Sequence, residues 1–530
     1  MNRELFACEA LAQIPKLLTL LDRNPHSPTF GCFDRNFWHY RIIDFPSGMA
    51  QEFVWPLALV YTLDLPRNQY YQQPAVRDWV EAGINFAARS SRSDGSCDDY
   101  FPFERAAGAA AFSLLACVES YRLLGLSSDS ALSFFEKRAG WIASHDESGR
   151  LANHQALAAL GLELVSRLIN APKLSKEADR RLERVLSWQS TEGWFAEYDG
   201  FDPGYQTLTV SCLARLYQMK PSTELRAALE RAVQLVAAFV HPDGSYGGEY
   251  GSRNTKNFFP HGFELVGQWM PESLSINDSF LKGMEKGLVP CYSDDHIVGH
   301  HAWNYLLAWQ DFVEQRPKAP AYPQGRRWFR EAGLLIDRRG ASELVVSLNK
   351  GGAFKFFRGE SLVASDTHLS LLYGSRGHLR NAVGHITDRY KTAVGDDVIS
   401  VAGSLGWAKQ TQMTPFRLLT LRLGMLTLGR LFPNAVRSFL QRLLISGKKR
   451  APFDFSRELR WEGEKLKVKD TLTAPSWKRV RALGIGCDQT SIYVVMSRTF
   501  EANELKEWTD LTPLAEKKQH GEKLEIEREF

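Results

Sequence analysis

The amino-acid sequence predicts an α+β multidomain protein in which an N-terminal (α/α) toroid of about six helical hairpins is followed by a C-terminal antiparallel β-sandwich with a helical insertion. Three observations predict it. Up to about residue 315, apolar residues recur at three- and four-residue spacing, with Gly, Pro, Asp or Asn at the breaks. Polar, Gly-rich, aromatic turns of one kind precede every second predicted helix. Beyond a Pro-rich linker, RPKAPAYPQG at 316–325, the pattern changes to short β-type runs.

The predicted helices pair as hairpins: 3–21 with 47–64, 74–91 with 104–123, 129–144 with 152–170, 174–190 with 203–219, 223–240 with 258–269, and 274–287 with 299–314. The turns inside them read SDGSCDDYFPFER, ESGRLANHQ, STEGWFAEYDGFDPGYQ, PDGSYGGEYGSRNTKNFFPHGFE and YSDDHIVGHHAW. Repetition places these turns at one end of every hairpin, so closing the hairpins into a ring gathers them at one mouth; an open helical solenoid is the alternative. The domain limits are thus 1–315 for the toroid, 316–325 for the linker and 326–530 for the β-sandwich, whose runs include ELVVSL, AFKFF, HLSLLYG, KLKVKDTLT and SIYVVMS. Residues 414–450 interrupt it. That stretch is apolar, punctuated by Arg and without an acid, too broken by charge to span a bilayer. It is either a helix covering the sandwich or a basic amphipathic surface for peripheral membrane contact.

Composition narrows the function classes. With 44% hydrophobic and 24% charged residues, the chain has the make-up of a folded globular protein. Its 65 Lys and Arg against 61 Asp and Glu leave a formal charge of only +4, without the basic field of a non-specific nucleic-acid binder, so no nucleic-acid partner is expected. Seven scattered cysteines without a C-x-x-C pair suggest reduced, packed thiols. The N-terminal segment reads as an amphipathic helix rather than an export signal, which favours the cytoplasm, with the inner membrane surface as the site of any peripheral contact.

Adjacent Asn153 and His154 open one inner helix, and D-G-S-Y followed by a Tyr and an Arg lies two connections later. With the ring and sandwich, this pattern resembles the heparinase II/III-like group of polysaccharide lyases and their alginate and chondroitin lyase relatives. It is also similar to heparinase-like proteins of exopolysaccharide assembly clusters, matched here at GCFDRNFWHYRIIDFP (31–46), SCDDYFPFER (96–105) and RNTKNFFPHGFE (253–264). The resemblance implies a carbohydrate-active enzyme, a carbon–oxygen lyase acting on a uronate-containing acidic polysaccharide or oligosaccharide. Asn153 and His154 would then bind and neutralise the uronate carboxylate. Related lyases carry a catalytic or metal-binding His in a His-rich and Gly-rich stretch of the β-domain; ASDTHLSLLYGSRGH, with Asp366, Thr367 and His368, departs from that pattern.

A lyase of this kind removes the proton at C5 of a uronate and expels the oxygen at C4. Removing that proton adds charge beside a carboxylate, so neutralising donors, a base and an acid are all needed. The fifth turn concentrates Tyr246, Glu249, Tyr250, Arg253, Asn254 and His261. Tyr250 is the preferred base or acid, with Arg253 close enough to lower its pKa from the ordinary value near ~10, and His261 as the second proton carrier. Tyr246 is an alternative to Tyr250. Glu104, Arg105, Trp194, Tyr205, Asn254 and His301 are candidate substrate-binding residues, the aromatics because sugar rings stack on them. His296 and His300 have the i, i+4 spacing of two metal ligands, but no H-E-x-x-H accompanies them, so no metal and no cofactor is expected. C5 epimerisation needs the same base, a hydrolase would need a carboxylate pair, and a non-catalytic exopolysaccharide assembly protein would need neither.

Overall fold

The computed structural model describes the chain apart from residues 1, 148, 199, 293–296, 319–322, 376–377, 388, 409–413, 433–434, 437–448 and 487–498. Its first part is built from α1 (Glu4–Leu20), α2 (Arg35–Trp38), α3 (Val54–Thr62), α4 (Pro74–Ser90), α5 (Ala107–Leu123), α6 (Asp129–Ser144), α7 (Ala152–Ile169), α8 (Pro172–Ser187), α9 (Pro203–Met219), α10 (Thr223–Ala238), α11 (His261–Gly267), α12 (Leu274–Glu285) and α13 (Val298–Gln310). Six hairpins result, α1/α3, α4/α5, α6/α7, α8/α9, α10/α11 and α12/α13, at the predicted positions. The inner member of the fifth is only seven residues long, and the connection that precedes it is buried almost throughout.

Inner and outer helices differ as their sequences require. The ANHQALAALGLELV run of α7 is buried on nearly every side, and its small residues allow close approach of α5 and α9. Outer α8 and α10 bury only one stripe. Starts are fixed locally: Ser128, Asp202 and Ser222 accept hydrogen bonds from the third residue beyond them, each worth about 1 kcal/mol, and Pro opens α4, α8 and α9. The ring closes. α13 packs against α1 and α3; Trp303 stacks on Trp55 at 4.4 Å, and Trp309 Nε1 donates to Glu4 at 3.1 Å. An open solenoid would leave those faces unpaired.

The first strand after the ring begins at Gly325. A five-stranded antiparallel meander, Gly325–Phe329, Leu334–Arg339, Ser342–Ser347, Ala353–Arg358 and Ser361–Asp366, faces a second antiparallel sheet. That sheet runs, in spatial order, Thr509–Asp510, Val480–Ile485, Leu369–Ser375, His378–Val383, Val398–Trp407, Arg450–Glu462, Lys465–Thr473 and Lys523–Glu529, with Lys391–Val394 alongside Val398–Trp407. Arg450–Glu462 alternates exposed and buried residues, as a strand with one covered face must. Leu335, Leu344, Phe354 and Phe356 of the first sheet meet Ile399, Val401, Leu459 and Trp461 of the second in one apolar core. The insertion contains α14 (Pro415–Gly424), continued by a turn of π-helix through Gly429. No residue of α14 is buried, so it does not cover the sandwich; residues 437–448 of the same insertion lie outside the described residues.

The sandwich docks on the connection between α10 and α11. Glu249 pairs with Lys355 at 3.4 Å, Lys256 with Glu504, and Asn254 accepts from Lys350. Asn503 Nδ2 donates to Asp243 at 3.0 Å, and the rings of His241 and Phe357 lie 4.9 Å apart. Much of the polarity of that connection is therefore used between domains.

Candidate functional site

The site starts from a short backbone bridge at the mouth of the ring. Leu151 pairs with Glu197, and Ala152 N–H donates to the carbonyl of Ala196 at 3.2 Å, so the start of α7 is held against the turn that precedes α9. That bridge puts Asn153 and Glu197 in contact: Asn153 Nδ2 donates to one carboxylate oxygen at 2.7 Å. Arg253 Nη1 donates to the other at 2.6 Å. Asp202, which caps α9, also accepts from the backbone N–H of Arg253 at 2.9 Å, tying the fifth turn to the fourth. The Arg253 guanidinium is stacked over Tyr205 at 4.0 Å and Tyr198 at 4.7 Å.

This cluster is buried, and the pKa values follow. Burial raises the Glu197 carboxyl above the ordinary carboxylate range, although Arg253, His154 and Asn153 pull it down. Burial also raises the Tyr205 hydroxyl, against the pull of Arg253. For Arg253, burial opposes the charge, but Tyr205, Tyr198 and Glu197 outweigh it and hold the guanidinium charged.

His154, next to Asn153 in sequence, reaches solvent, with its side chain 21% exposed. Its Nδ1 is 2.6 Å from Glu147, so a proton shared there leaves Nε2 as the basic nitrogen. Phe112 meets the His154 ring edge-on at 6.1 Å and stacks on His300 at 3.9 Å. His300 is in turn paired with buried Glu52, which accepts from Trp303 Nε1 at 2.5 Å. Two imidazole–carboxylate pairs thus flank one aromatic ring.

The other sequence candidates lie elsewhere. Tyr250 was expected to have its pKa lowered by Arg253; instead its hydroxyl is 2.9 Å from His241 Nε2, and burial, reinforced by Tyr246 and Glu249, raises it well above the ordinary value. Tyr246 is equally buried against Phe258, with its pKa raised for the same first reason. His261 Nε2 is 2.7 Å from Asp311, the residue that ends α13. At 1.5 Å per residue, that is about 16 Å along α13 from His300, toward the far end of the ring. The ring of His301 stacks on Phe259, and burial lowers its pKa well below the ordinary value.

Glu104 accepts from the backbone of Asp99 and Tyr100, Arg105 pairs with Asp94 at 3.3 Å, and Trp194 Nε1 donates to Glu192, which also accepts from the sandwich backbone at Glu331 and Ala332. Asn254, in the left-handed region that Asn tolerates, faces Lys350. Asp366 pairs with Arg457 inside the sandwich, and His368 is buried beside Phe455. Asp294, Asp295 and His296 lie outside the described residues. Among the described residues no group of three or more His, Cys, Asp or Glu is placed to hold a metal ion. Glu147, Glu197 and Glu52 escaped the sequence reading; the signal for the first two was an acid in the same turns that launch α7 and α9.

The fold is that of two polysaccharide lyases. A chondroitin AC lyase of Streptomyces coelicolor A3, solved with chondroitin sulphate, superposes with TM-score 0.53 at 11% identity, over 91% of this chain and 67% of that one. A Paenibacillus xanthan lyase superposes with TM-score 0.52 at 9% identity, over 91% of this chain and 46% of that one. This chain therefore spans about two thirds of the first and less than half of the second. No family model and no curated protein matches the sequence.

Proposed function

We propose that the protein is a carbohydrate-active enzyme, a heparinase II/III-like lyase that cleaves a uronate-containing acidic polysaccharide by C5 proton abstraction and β-elimination. The observation that carries this reading is the partly exposed His154 at the start of α7, backed by Glu147 and following Asn153, whose partner Glu197 also holds Arg253. The shared fold with two lyases supports it. The uronate carboxylate would lie at the ring mouth, within the field of the Arg253 guanidinium, whose side chain is 7% exposed and whose Nε has no hydrogen-bond partner. Positive charge and hydrogen-bond donors there stabilise the carbanion as it forms. His154 Nε2 takes the C5 proton, the electron pair becomes the C4–C5 double bond, and the C4–O bond breaks. The imidazolium returns its proton to the departing O4. Glu147 stabilises that imidazolium, which is its gain over a lone His.

Incubation of the protein with a panel of uronate polymers should produce the ultraviolet absorbance of an unsaturated uronate. His154→Gln should keep the fold and lower turnover by roughly 10² to 10⁴. Solvent deuterium entering C5 without cleavage would instead identify an epimerase using the same base. Neither signal on any uronate polymer, or a His154→Gln variant that turns over like the wild type, would overturn the reading.

A further inference from the structure

Surface helices ordinarily bury their apolar side, and α14 leaves its apolar side exposed. Phe416, Leu419, Leu423 and Leu426 recur at helical spacing on its outward side, and Phe416 is 78% exposed. Leu418, Leu428, Leu431 and Phe432 are exposed as well, while Met425 and Gly429 are buried. Scattered apolar residues on a surface need no explanation, but a continuous run of this length does.

Its charge indicates what covers it. Between Asp397 and Asp454 the sequence has nine Lys and Arg (Lys409, Arg417, Arg422, Arg430, Arg437, Arg442, Lys448, Lys449, Arg450) and no acid. A second copy of the chain would have to offer an acidic apolar groove; a bilayer with anionic headgroups supplies both features at once. No described helix is long and apolar enough to cross a membrane, so the contact would lie in the interfacial plane. The position adds a second observation. Arg422 Nη1 pairs with Asp44 at 2.5 Å, and Arg430 lies 6.0 Å over Phe103, so the helix is held beside turns of the ring mouth that themselves expose Ile42, Tyr40 and Tyr100.

We infer that Pro415–Phe432, with the neighbouring apolar tips of the 40–42 and 100 turns, is a docking surface for an anionic membrane, which would turn the ring mouth toward the bilayer. This inference stands apart from the catalytic reading, since docking needs no turnover. Flotation of the full-length protein with phosphatidylcholine vesicles, with and without phosphatidylglycerol, tests it. Protein should float with the anionic vesicles and be released by high salt, while the combined Phe416→Ser, Leu419→Ser, Leu423→Ser variant should lose at least about tenfold in partitioning with an unchanged circular dichroism spectrum. Arg417→Gln with Arg430→Gln tests the charge without touching the apolar face and should lower binding to the anionic vesicles alone. No flotation of the wild type with anionic vesicles would overturn the inference. So would a self-association, abolished by the triple Ser variant, that occurs without any vesicle binding.

Discussion

Replacing Arg253 by Met tests how the mouth cluster is held together. The substitution keeps most of the side-chain length and removes the guanidinium, leaving the Glu197 carboxylate, only 2% exposed, with the single amide of Asn153. Breaking a buried ion pair from one side costs about 3–5 kcal/mol, because the surviving charge is neither solvated nor paired. The cost should depend on pH, and its sign follows from Glu197. Burial already raises that carboxyl above its unfolded value of 4.5, and removing Arg253 raises it further. The folded state then prefers the protonated acid, so the variant is least compromised at or below the unfolded value and loses stability as pH rises through the folded value. Urea unfolding followed by tryptophan fluorescence at acidic and at neutral pH measures both effects. Glu197→Gln in the same chain should restore most of the loss, since an amide carries no charge to strand. A loss of no more than about 1 kcal/mol, equal at both pH values and unrelieved by Glu197→Gln, would refute the idea that Arg253 serves to neutralise Glu197.

Tyr250→Phe should change turnover less than about tenfold, and destabilise by about 1 kcal/mol through the lost hydrogen bond to His241; a loss of 10² or more in turnover would restore Tyr250 as the proton-transfer residue. Gly108→Ala should favour α5 by roughly 0.5–1 kcal/mol while its new methyl, 2.7 Å from His154 Cε1, pushes the imidazole aside, so thermal stability should hold or rise as activity falls. Between the domains, burial raises the carboxyl of Glu501 to about 7, although Lys256 and Lys355 pull it down. Its folded value lies above the unfolded 4.5, so stability present at low pH is lost as pH rises from 4.5 to about 7 and then levels. Glu501→Gln should flatten that part of the pH–stability curve, by up to about 3 kcal/mol, in calorimetric melts across the range.

Much of the architecture is written locally in the sequence. Helical periodicity, Ser, Asp and Pro at helix starts, and the switch to alternating residues beyond the linker are all properties of a few consecutive residues, and they place the six hairpins and the sandwich correctly. The same reasoning singles out Asn153 and His154 as candidates, because a polar pair opening an inner helix is a local pattern. It could not rank the fifth turn. Tyr250, Glu249, Asn254 and Lys256 have the composition of a catalytic loop, yet Glu249, Asn254 and Lys256 meet Lys355, Lys350 and Glu504 of the sandwich, from 96 to 248 residues away. Nor could it supply Glu197, which reaches Asn153 only because α7 and α9 of neighbouring hairpins pack together and a backbone bridge brings their turns side by side. Sequence spacing determines which side chains share a helix face or a turn; which turn meets which, and therefore which carboxylate is desolvated and which tyrosine is stripped of a cation, depends on the closure of the ring and the docking of the sandwich upon it.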